Sequence, residues 1–536
     1  MNHRRRWITL AGAIALAVVV AGCAPAHPNG ESVPRIALVP APAALTVEEA
    51  APAFRVEPTT AIAGDTDAAT ALAAIVAART GVAPAIDSDG AVSFRREAGG
   101  AAESYTLTVD AASVTVVAPD DAGLFYGAQT LGQLLTRDGD DWVIPAVTIQ
   151  DAPRFAYRGV MLDVARHFHS VDTVKAYIDR AAALKMNALH LHLTDDQAWR
   201  LQLDSRPRLT EVASGISVGG DPGGFYTKDD YREIVAYAAS RHMIVVPEID
   251  VPGHTHAVGL AYPELVEPPV LSDHIREIAR DYGGELPTAG VPYDGMAVGF
   301  SSLKIHDEAT YDFLADVFGE LTALTPGPYL HVGGDEALGT SPEDFAEFMT
   351  RATAIVADLG KIPVAWHEAG AAADIADTTI GQYWGFTTPT NGMDDRARAF
   401  VSNGAQLILS PSDAIYLDMK YDESSPLGLT WANGPTSVER AYSWEPGAVI
   451  DGIEDADILG VEAPMWTETI ATLEDIDTMA FPRIAAAAEA AWSPAPADSP
   501  LRTWESFRDR VGGLAPLWTS QGIDFFRSPE IEWSDR

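Results

Sequence analysis

The sequence predicts a (β/α)₈ barrel preceded by a small α+β domain, and three observations lead to that fold. The chain has 536 residues, which is enough for a barrel and one further domain. From Pro153 onward, short apolar segments alternate with amphipathic ones, as in parallel βα units. Polar and aromatic residues repeatedly follow the last apolar residue of these segments, as they do at the C-terminal face of such barrels.

The predicted N-terminal domain covers residues 35–150. Alternating apolar and polar residues predict strands over 105–109 and 113–117, and apolar residues at helical spacing predict helices over 68–80 and 124–135. This domain has no cluster of residues that suits catalysis. We therefore expect it to pack against the barrel.

The predicted catalytic barrel covers residues 151–530. Its eight strands are expected at 159–163, 188–192, 244–248, 329–333, 363–366, 379–383, 407–410 and 460–464. Helices are expected between several of them, at 173–184, 228–241, 308–324 and 342–359. Because the carboxyl ends of barrel strands share one face, the side chains at those ends are expected to surround one site.

Residues 1–22 are predicted to be a lipoprotein signal peptide. Three arginines, at 4–6, precede an apolar stretch that is too short for a membrane helix. The stretch ends in Val-Ala-Gly-Cys23, which resembles the lipobox of bacterial lipoproteins, whose cysteine is lipidated. Residues 23–34 then fit a tether. We expect an exported protein, anchored to the bacterial membrane through Cys23 or, with a plain secretory signal, secreted.

The charge and the cysteine content exclude several classes of function. The formal charge is −40, from 36 basic and 76 acidic side chains, so nucleic acid and anionic membrane surfaces would be repelled. A neutral substrate fits this charge better, although acidity also serves solubility. Cys23 is the single cysteine, which rules out an internal disulfide and a cysteine metal site.

Two adjacent acids, Asp335 and Glu336, follow a short apolar segment and two glycines. Adjacent carboxylates repel each other and point in different directions, so they are expected to have different partners and different pKa values. Such a difference is what separate acid and base roles require. The alternative is a helix N-terminus stabilised by acids. Further acids follow predicted strand ends: Asp163, Asp195, Asp196, Glu248, Asp250, Asp418 and Glu468.

Four tryptophans also lie at or near predicted strand ends: Trp366, Trp384, Trp431 and Trp466. A single tryptophan is more often part of a core, but these four are flanked by glycine, proline or acids. Flat apolar faces beside carboxylates suit a pyranose ring, whose CH groups stack on aromatic rings while its hydroxyls need acceptors.

The histidines allow a second interpretation. His190 and His192 lie on one face of a predicted strand, and His254 and His256 follow Pro-Gly in a loop. A His-x-His pair on a barrel strand is able to bind zinc. The same pair equally suits hydrogen bonds to neighbouring acids inside the barrel. No ligand from a third strand is evident, and the sequence favours no metal.

Together these segments resemble family 20 glycoside hydrolases, the β-N-acetylhexosaminidases, and are similar to bacterial exo-acting members. The resemblance covers roughly residues 35 to 530. It depends on an ordered series of motifs rather than on one, at residues 162–168, 190–197, 247–254, 331–336, 366–368, 382–385, 416–418 and 466–468. The loops at 212–226 and 262–300 match less clearly.

The resemblance implies that Glu336 is the general acid/base and that Asp335 binds the 2-acetamido nitrogen of a terminal GlcNAc or GalNAc. It implies no enzyme nucleophile and no cofactor, because the acetamido oxygen attacks the anomeric carbon and configuration is retained. Further residues match the substrate site: Tyr416 at the acetamide oxygen, Trp366, Trp384 and Trp466 around its methyl group, Arg166 and Glu468 at O3 and O4, Asp418 near O4 or O6, Trp431 at the sugar or aglycone, and Asp195 and His254 in a network that steers the proton of Glu336.

Two hypotheses from other classes stay open on the sequence alone. One is a surface-anchored lipoprotein that binds amino sugars without cleaving them. The other is a metal-dependent amidohydrolase barrel that uses His190 and His192. The sequence does not distinguish GlcNAc from GalNAc, nor does it give the chain length of the oligosaccharide, such as a chitooligosaccharide, or the oligomeric state.

Overall fold

A computed structural model describes residues 36–64 and 66–535. The predicted signal peptide, most of the tether and Cys23 lie outside the described residues. Among the helices of the described part, none is long and apolar enough to cross a membrane.

The described part of the small domain contains a seven-stranded sheet, a three-stranded sheet and two helices. The large sheet has the order β1-β10-β6-β7-β5-β3-β4, and the small one has the order β2-β9-β8. The strands are β1 Ala44–Val47, β2 Phe54–Val56, β3 Ala61–Gly64, β4 Ala85–Asp87, β5 Val92–Arg96, β6 Tyr105–Val109, β7 Val114–Ala118, β8 Thr136–Asp138, β9 Asp141–Ile144 and β10 Val147–Asp151. The helices are α1 Thr66–Thr80 and α2 Asp121–Leu134.

The barrel closes in strand order, with every neighbouring pair parallel. Its strands are β11 Tyr157–Asp163, β12 Ala188–His192, β13 Ile244–Glu248, β14 Tyr329–His331, β15 Ile362–Trp366, β16 Ile380–Tyr383, β17 Leu407–Leu409 and β18 Ile458–Ala463. The predicted fold, a (β/α)₈ barrel after a small α+β domain, is confirmed.

Helices and short 3₁₀ turns follow the barrel strands. The α-helices are α3 Val171–Ala183, α4 Arg208–Ala213, α5 Lys228–Ala239, α6 His256–Ala261, α7 Asp273–Tyr282, α8 Glu308–Leu324, α9 Pro342–Asp358, α10 Met393–Ser402, α11 Ser412–Ile415, α12 Val438–Tyr442, α13 Leu473–Ala480, α14 Arg483–Trp492, α15 Trp504–Gly513 and α16 Ala515–Ser520. The 3₁₀ turns are Val218–Gly220, Pro263–Leu265, His367–Ala371, Pro446–Ala448 and Asp455–Asp457.

Strand β14 ends two residues earlier than the sequence predicts. The apolar pattern predicts a strand over 329–333, but β14 ends at His331. Gly333 and Gly334 have φ angles of 66° and 99°, which turn the chain out of the extended conformation before the two acids. This turn directs Asp335 and Glu336 into the C-terminal mouth of the barrel.

The small domain is fixed to the barrel by buried polar contacts. Lys185, which follows α3, is 2% exposed, and its Nζ lies 2.9 Å from both the Asp151 carboxylate and the Tyr105 hydroxyl. Arg158 on β11 lies within 2.8 Å of Glu103 and 3.2 Å of the Tyr126 hydroxyl. Because each charge has a partner, their burial is tolerated, and the expected packing of the small domain against the barrel is observed.

Candidate active site

A cavity of about 340 Å³ lies at the C-terminal end of the barrel strands. Its lining combines carboxylates and an arginine with aromatic and aliphatic side chains. The lining residues are Arg166, His274, Ile278, Tyr282, Met296, Val298, Asp335, Glu336, Trp384, Tyr416, Asp418, Leu429, Trp431, Trp466 and Glu468. The structure thus brings most of the predicted site residues, which are up to 302 positions apart in the chain (Arg166 and Glu468), to one cavity.

The turn that carries the two acids is held by Asp250, just after β13. Asp250 Oδ1 accepts a hydrogen bond from the Gly334 N–H at 3.0 Å. A Cβ atom on Gly333 would lie 1.8 Å from the same oxygen, so only glycine fits there. Glu336 itself has a φ angle of 45°, a conformation that is uncommon for residues with side chains and is concentrated at functional sites.

Asp250 also contacts the first acid of the pair. Burial and the neighbouring charge of Asp335 raise the pKa of Asp250 well above its ordinary value. These two effects favour the uncharged form of Asp250. Asp335 Oδ1 is buried and has no hydrogen-bond partner within the described part of the chain, so it is free to accept one from a ligand.

Three further side chains connect the acids to the polar end of the cavity. The Arg166 guanidinium lies 2.8 Å from Asp195 Oδ2, and Asp195 lies 3.2 Å from His254 Nδ1. On its other side, His254 Nε2 lies 3.7 Å from Asp335 and 3.8 Å from Glu336. The predicted network of Asp195 and His254 behind Glu336 is thus assembled in the structure.

The charges in this network are set by competition between burial and ion pairing. Burial alone would raise the pKa of Asp195, but Arg166 and His254 lower it well below its ordinary value. Burial would lower the pKa of His254, but Asp195 and Asp335 raise it well above its ordinary value. An imidazolium therefore faces the two acids.

Glu336 is the acid whose pKa suits proton transfer. Burial raises the pKa of Glu336, the charge of His254 lowers it, and the charge of Asp335 raises it. The resulting pKa is about 7. The Glu336 side chain is 34% exposed, so its carboxyl group is accessible from the cavity. A carboxyl with this pKa is able to give and take a proton near neutrality.

Aromatic rings form one side of the cavity. The Trp384 and Trp431 ring centroids are 6.0 Å apart, and Tyr416 lies 5.8 Å from Trp431 and 6.3 Å from Trp466. Trp366 is fully buried beneath this layer, 6.1 Å from Trp466, so it supports the wall rather than lining the cavity. Burial raises the pKa of Tyr416 well above its ordinary value, which keeps its hydroxyl a hydrogen-bond donor.

Arg166, Asp418 and Glu468 form the polar end of the cavity. Asp418 Oδ1 accepts from the Trp466 N–H at 3.4 Å, while Oδ2 is buried without a partner among the described residues. Arg166 also lies 4.9 Å above the Trp466 ring. This grouping offers both donors and acceptors to the hydroxyl groups of a ligand.

Both the small domain and the barrel match models of known protein families. The model of glycosyl hydrolase family 20, domain 2, matches residues 35–152, and the model of its catalytic domain matches residues 155–342 and 338–495. The chain belongs to glycoside hydrolase family 20. The expected membership is confirmed, and the protein is a glycoside hydrolase.

Individual relatives of this family 20 enzyme agree with that assignment. A β-N-acetylhexosaminidase from Cellulomonas fimi is 42% identical over 437 residues, which are 80% of this chain and 82% of the relative. A solved family 20 β-N-acetylglucosaminidase is 67% identical with a TM-score of 0.87, and the match covers 93% of this chain and all of that one. The Streptomyces plicatus N-acetyl-β-hexosaminidase is 43% identical with a TM-score of 0.84, covering 94% and 98%.

The histidines on β12 form a layer of charges beneath the site of this family 20 enzyme. His190 lies 2.8 Å from Glu462 and 3.1 Å from Glu248, and His192 binds Glu248 and Asp195. Burial lowers the pKa of both rings, but Glu462 and Glu248 raise that of His190 to about 10, and Glu248 and Asp195 raise that of His192 to about 9.

This layer also corrects the sequence analysis, which identified no potential metal ligand on a third strand. Glu248 on β13 and His331 on β14 approach His190, and ligand atoms of these three lie within 4.8 Å of one another. Sequence spacing did not show this, because the residues come from different strands. With a pKa of about 10, His190 carries a proton at neutral pH and donates a hydrogen bond from Nδ1 to Glu462.

Two of the strand-end acids accept hydrogen bonds from neighbouring loops and do not line the cavity. Asp163 accepts from the N–H groups of Ala165, Arg166 and Thr467. Asp196 accepts from the His256 N–H at 3.0 Å and from the Ser301 hydroxyl at 2.5 Å. Not every acid at the barrel mouth is therefore part of the binding surface.

Sequence reasoning missed two groups of residues in this family 20 enzyme. Glu368 accepts from the Trp384 indole N–H at 2.9 Å, and burial raises its pKa to about 8. The second group comes from the segment that matches the family less clearly and lines the cavity: His274, Ile278, Tyr282, Met296 and Val298. The first three are spaced by four residues, a helical periodicity that would have revealed a common face.

Proposed function

We propose that this glycoside hydrolase is an exo-acting, retaining β-N-acetylhexosaminidase that removes terminal GlcNAc or GalNAc with the help of the substrate's own acetamido group. The observation that carries the proposal is the pair at the cavity wall: Glu336 has a pKa of about 7, and Asp335 beside it has a free buried oxygen. The relatives from Cellulomonas fimi and Streptomyces plicatus are named for the same activity.

In the first step, Glu336 gives its proton to the glycosidic oxygen as the bond to the anomeric carbon breaks. The acetamido oxygen attacks that carbon, forming a cyclic oxazolinium-like intermediate. Asp335 accepts a hydrogen bond from the acetamido N–H and so stabilises the positive charge that develops on the acetamido group. In the second step, Glu336 takes a proton from water as the water oxygen attacks the anomeric carbon. This attack opens the oxazolinium ring, and the anomeric configuration is retained overall.

The aromatic wall explains how the acetamido group becomes a nucleophile. Its oxygen has to be held within about 3–3.5 Å of the anomeric carbon. Trp384 and Trp466, backed by Trp366, enclose the methyl group, and the Tyr416 hydroxyl donates to the oxygen. This arrangement folds the acetamide beneath the sugar ring.

The polar end of the cavity supports recognition of a terminal sugar. Arg166 and Glu468 are proposed to bind the hydroxyls at O3 and O4, and Asp418 the one at O4 or O6, through its free Oδ2. Arg166 and Asp418 are almost fully buried at this end of the cavity, and we propose that they exclude a further sugar beyond O4. Such an end admits the non-reducing terminus of a glycan.

The test compares N-acetylglucosaminide, N-acetylgalactosaminide and glucoside substrates that carry the same chromogenic leaving group. We expect cleavage of the first two and none of the third, because the glucoside has no acetamido oxygen. Proton NMR early in the reaction should show the β-anomer of the released sugar. Cleavage of the glucoside at a similar rate, or release of the α-anomer, would contradict the mechanism.

Two variants test the assigned roles. Glu336→Gln is expected to lower kcat by about 10²–10⁴-fold, the usual contribution of general acid–base catalysis. Asp335→Asn is expected to lower kcat while the thermal unfolding midpoint stays near that of the wild type. Equal activity of both variants and the wild type would refute the proposal.

We further propose that the enzyme is exported and anchored through a lipid on Cys23. The support is the sequence alone: the basic and apolar stretch of residues 1–22 and the Val-Ala-Gly-Cys23 pattern. In a bacterial host, the wild type should incorporate a labelled fatty acid and sediment with membranes. Cys23→Ala should do neither, and label on that variant would overturn the assignment.

A further inference from the structure

A second cavity, of about 460 Å³, lies apart from the catalytic one. Its walls come mainly from the connection between β17 and β18 and from the connection between α14 and α15. None of its lining residues is shared with the catalytic cavity. Three of its side chains are aromatic, and polar side chains stand beside them: Tyr442, Trp444 and Trp504, with Ser443, Glu445 and Arg502. Aromatic rings with a few polar groups are typical of sites for small molecules.

Two of the aromatic rings are half-buried and held in a fixed geometry. The Tyr442 and Trp504 ring centroids are 6.1 Å apart, with their planes at 45°. Tyr442 stacks at 4.3 Å on the fully buried Phe507, and its hydroxyl donates to the Glu489 carboxylate at 3.2 Å. Trp504 lies 6.1 Å from the same phenylalanine. The pair therefore forms a preorganised aromatic surface, which reduces the entropy that a ligand loses on binding.

The third aromatic side chain has an unpaired donor. Trp444 is 8% exposed, and its indole Nε1 has no hydrogen-bond partner among residues 36–64 and 66–535. Elsewhere in the chain, indole N–H groups donate to carbonyl or carboxylate oxygens: those of Trp199, Trp366, Trp384, Trp492 and Trp533. A buried N–H group without an acceptor costs free energy, so a ligand that supplies an acceptor gains from binding there.

The charged groups around this cavity neutralise one another. Glu445 Oε1 lies 2.5 Å from Arg154, and Glu445 Oε2 lies 3.6 Å from Arg502. Arg154 also pairs with Asp455 at 2.8 Å, and Arg502 lies 3.6 Å from Glu489. Since each charge faces one of opposite sign, the cavity favours a neutral ligand over an ion. The two contacts of Arg502 are longer than hydrogen bonds, so its N–H groups are able to bind hydroxyl oxygens.

We propose that this cavity is a second, non-catalytic binding site for a neutral oligosaccharide, with a pyranose ring stacked on Tyr442 and Trp504. The CH face of a pyranose suits flat aromatic rings, and its hydroxyls supply the acceptor that Trp444 lacks. The substrates of a glycoside hydrolase are saccharides, so such ligands are present whenever the enzyme works. This inference goes beyond the proposed function, because no residue of this cavity takes part in the cleavage.

The experiment observes the tryptophans of the two cavities separately. The full-length Glu336→Gln enzyme, which is expected to cleave very slowly, is labelled with 5-fluorotryptophan and titrated with chitotetraose. The fluorine NMR lines of Trp384, Trp444 and Trp504 are assigned by changing each tryptophan to phenylalanine in turn. We expect the Trp444 and Trp504 lines to shift together with one dissociation constant, and the Trp384 line to shift with a different one.

Trp504→Ala removes half of the stacking surface. In the labelled enzyme, it should weaken the binding that the Trp444 line reports by about tenfold, the scale of one aromatic contact, and leave the titration of the Trp384 line unchanged. In the active enzyme, the same change should leave kcat/KM on the chromogenic N-acetylglucosaminide unchanged. Glu505→Ala is the matched control, because Glu505 is an exposed residue of the same helix and does not line the cavity. It should alter none of these values.

The possible outcomes separate the two proposals. If the Trp384 line shifts and the Trp444 and Trp504 lines do not, the proposed function stands and the second site is wrong. The second site is also wrong if Trp504→Ala leaves the titration of the Trp444 line unchanged. If the Trp444 and Trp504 lines shift and the Trp384 line does not, the second site stands and the proposed function fails. If no line shifts, both proposals fail.

Discussion

The imidazole of His254 stands between the two acids of the active site: its Nε2 atom lies 3.8 Å from the Glu336 carboxylate and 3.7 Å from that of Asp335. Because Asp195 and Asp335 keep His254 protonated, a positive charge faces both carboxyl groups. That charge opposes the effects of burial and of Asp335 on Glu336 and holds its pKa at about 7. The pKa of the general acid thus depends on His254, a residue that does not line the cavity.

The first prediction concerns pH. Glu336 has to be protonated to act as an acid, so kcat/KM should fall above pH 7, by about tenfold per pH unit well past the midpoint. His254→Gln removes the charge that lowers the pKa of Glu336, so the alkaline midpoint should move to higher pH. Rates on the chromogenic N-acetylglucosaminide between pH 4 and 10 would show this, and a midpoint moved to lower pH would contradict the assigned charge of His254.

The second prediction concerns Asp250, whose pKa is raised by burial and by Asp335. Asparagine is able to accept from the Gly334 N–H, as Asp250 does, and to donate to a neighbouring carboxylate, as an uncharged carboxyl would, whereas alanine does neither. We expect Asp250→Asn to lose less than about tenfold in kcat and Asp250→Ala about 100-fold or more, since the carboxylate of Asp335 is then misplaced. If Asp250→Asn were as damaged as Asp250→Ala, Asp250 would be ionised in the enzyme.

The third prediction concerns the turn before the two acids. Gly333→Ala places a methyl group where Asp250 Oδ1 lies and forces alanine into a positive φ, which costs about 1–2 kcal/mol before any clash. The thermal unfolding midpoint should fall by a few degrees and kcat by about 100-fold or more. Gly360→Ala is the matched control, because Gly360 also has a positive φ but its Cβ position is open. Equal effects on kcat would show that the clash with Asp250 is unimportant.

The fourth prediction concerns Glu368, which lies behind the aromatic wall. Glu368→Leu removes the acceptor of the Trp384 indole N–H, so the ring should lose its fixed position and KM should rise about tenfold. Glu368→Gln keeps an acceptor and should remain close to the wild type. A fall in kcat with unchanged KM in both variants would instead indicate a direct part in catalysis.

Much of the fold followed from local patterns. Each predicted barrel strand overlaps an observed one, and β12 and β13 have the predicted bounds. Helix α8 also has the predicted bounds, Glu308–Leu324. These elements are recognisable because apolar periodicity is a property of neighbouring residues. The strand before Asp335 was predicted too long, because the sequence shows two glycines but not the φ angles they adopt.

The roles of the acids could be sorted only in part. From the sequence, Asp163 and Asp418 look alike, since each follows a strand end. In the structure, Asp163 holds three backbone N–H groups, while Asp418 keeps a free oxygen at the cavity. The difference arises from which chain segments pass nearby, and no local pattern contains that information.

The adjacent pair Asp335 and Glu336 at the end of a barrel strand was determined by the sequence itself, through the order of its motifs. The tertiary structure decided what the pair is able to do. Asp250, His254 and Arg166 come from other strands and loops, and their charges, together with the removal of water, place the pKa of Glu336 near 7. A pKa is set by burial and by charges within a few ångströms, and both are properties of the folded chain.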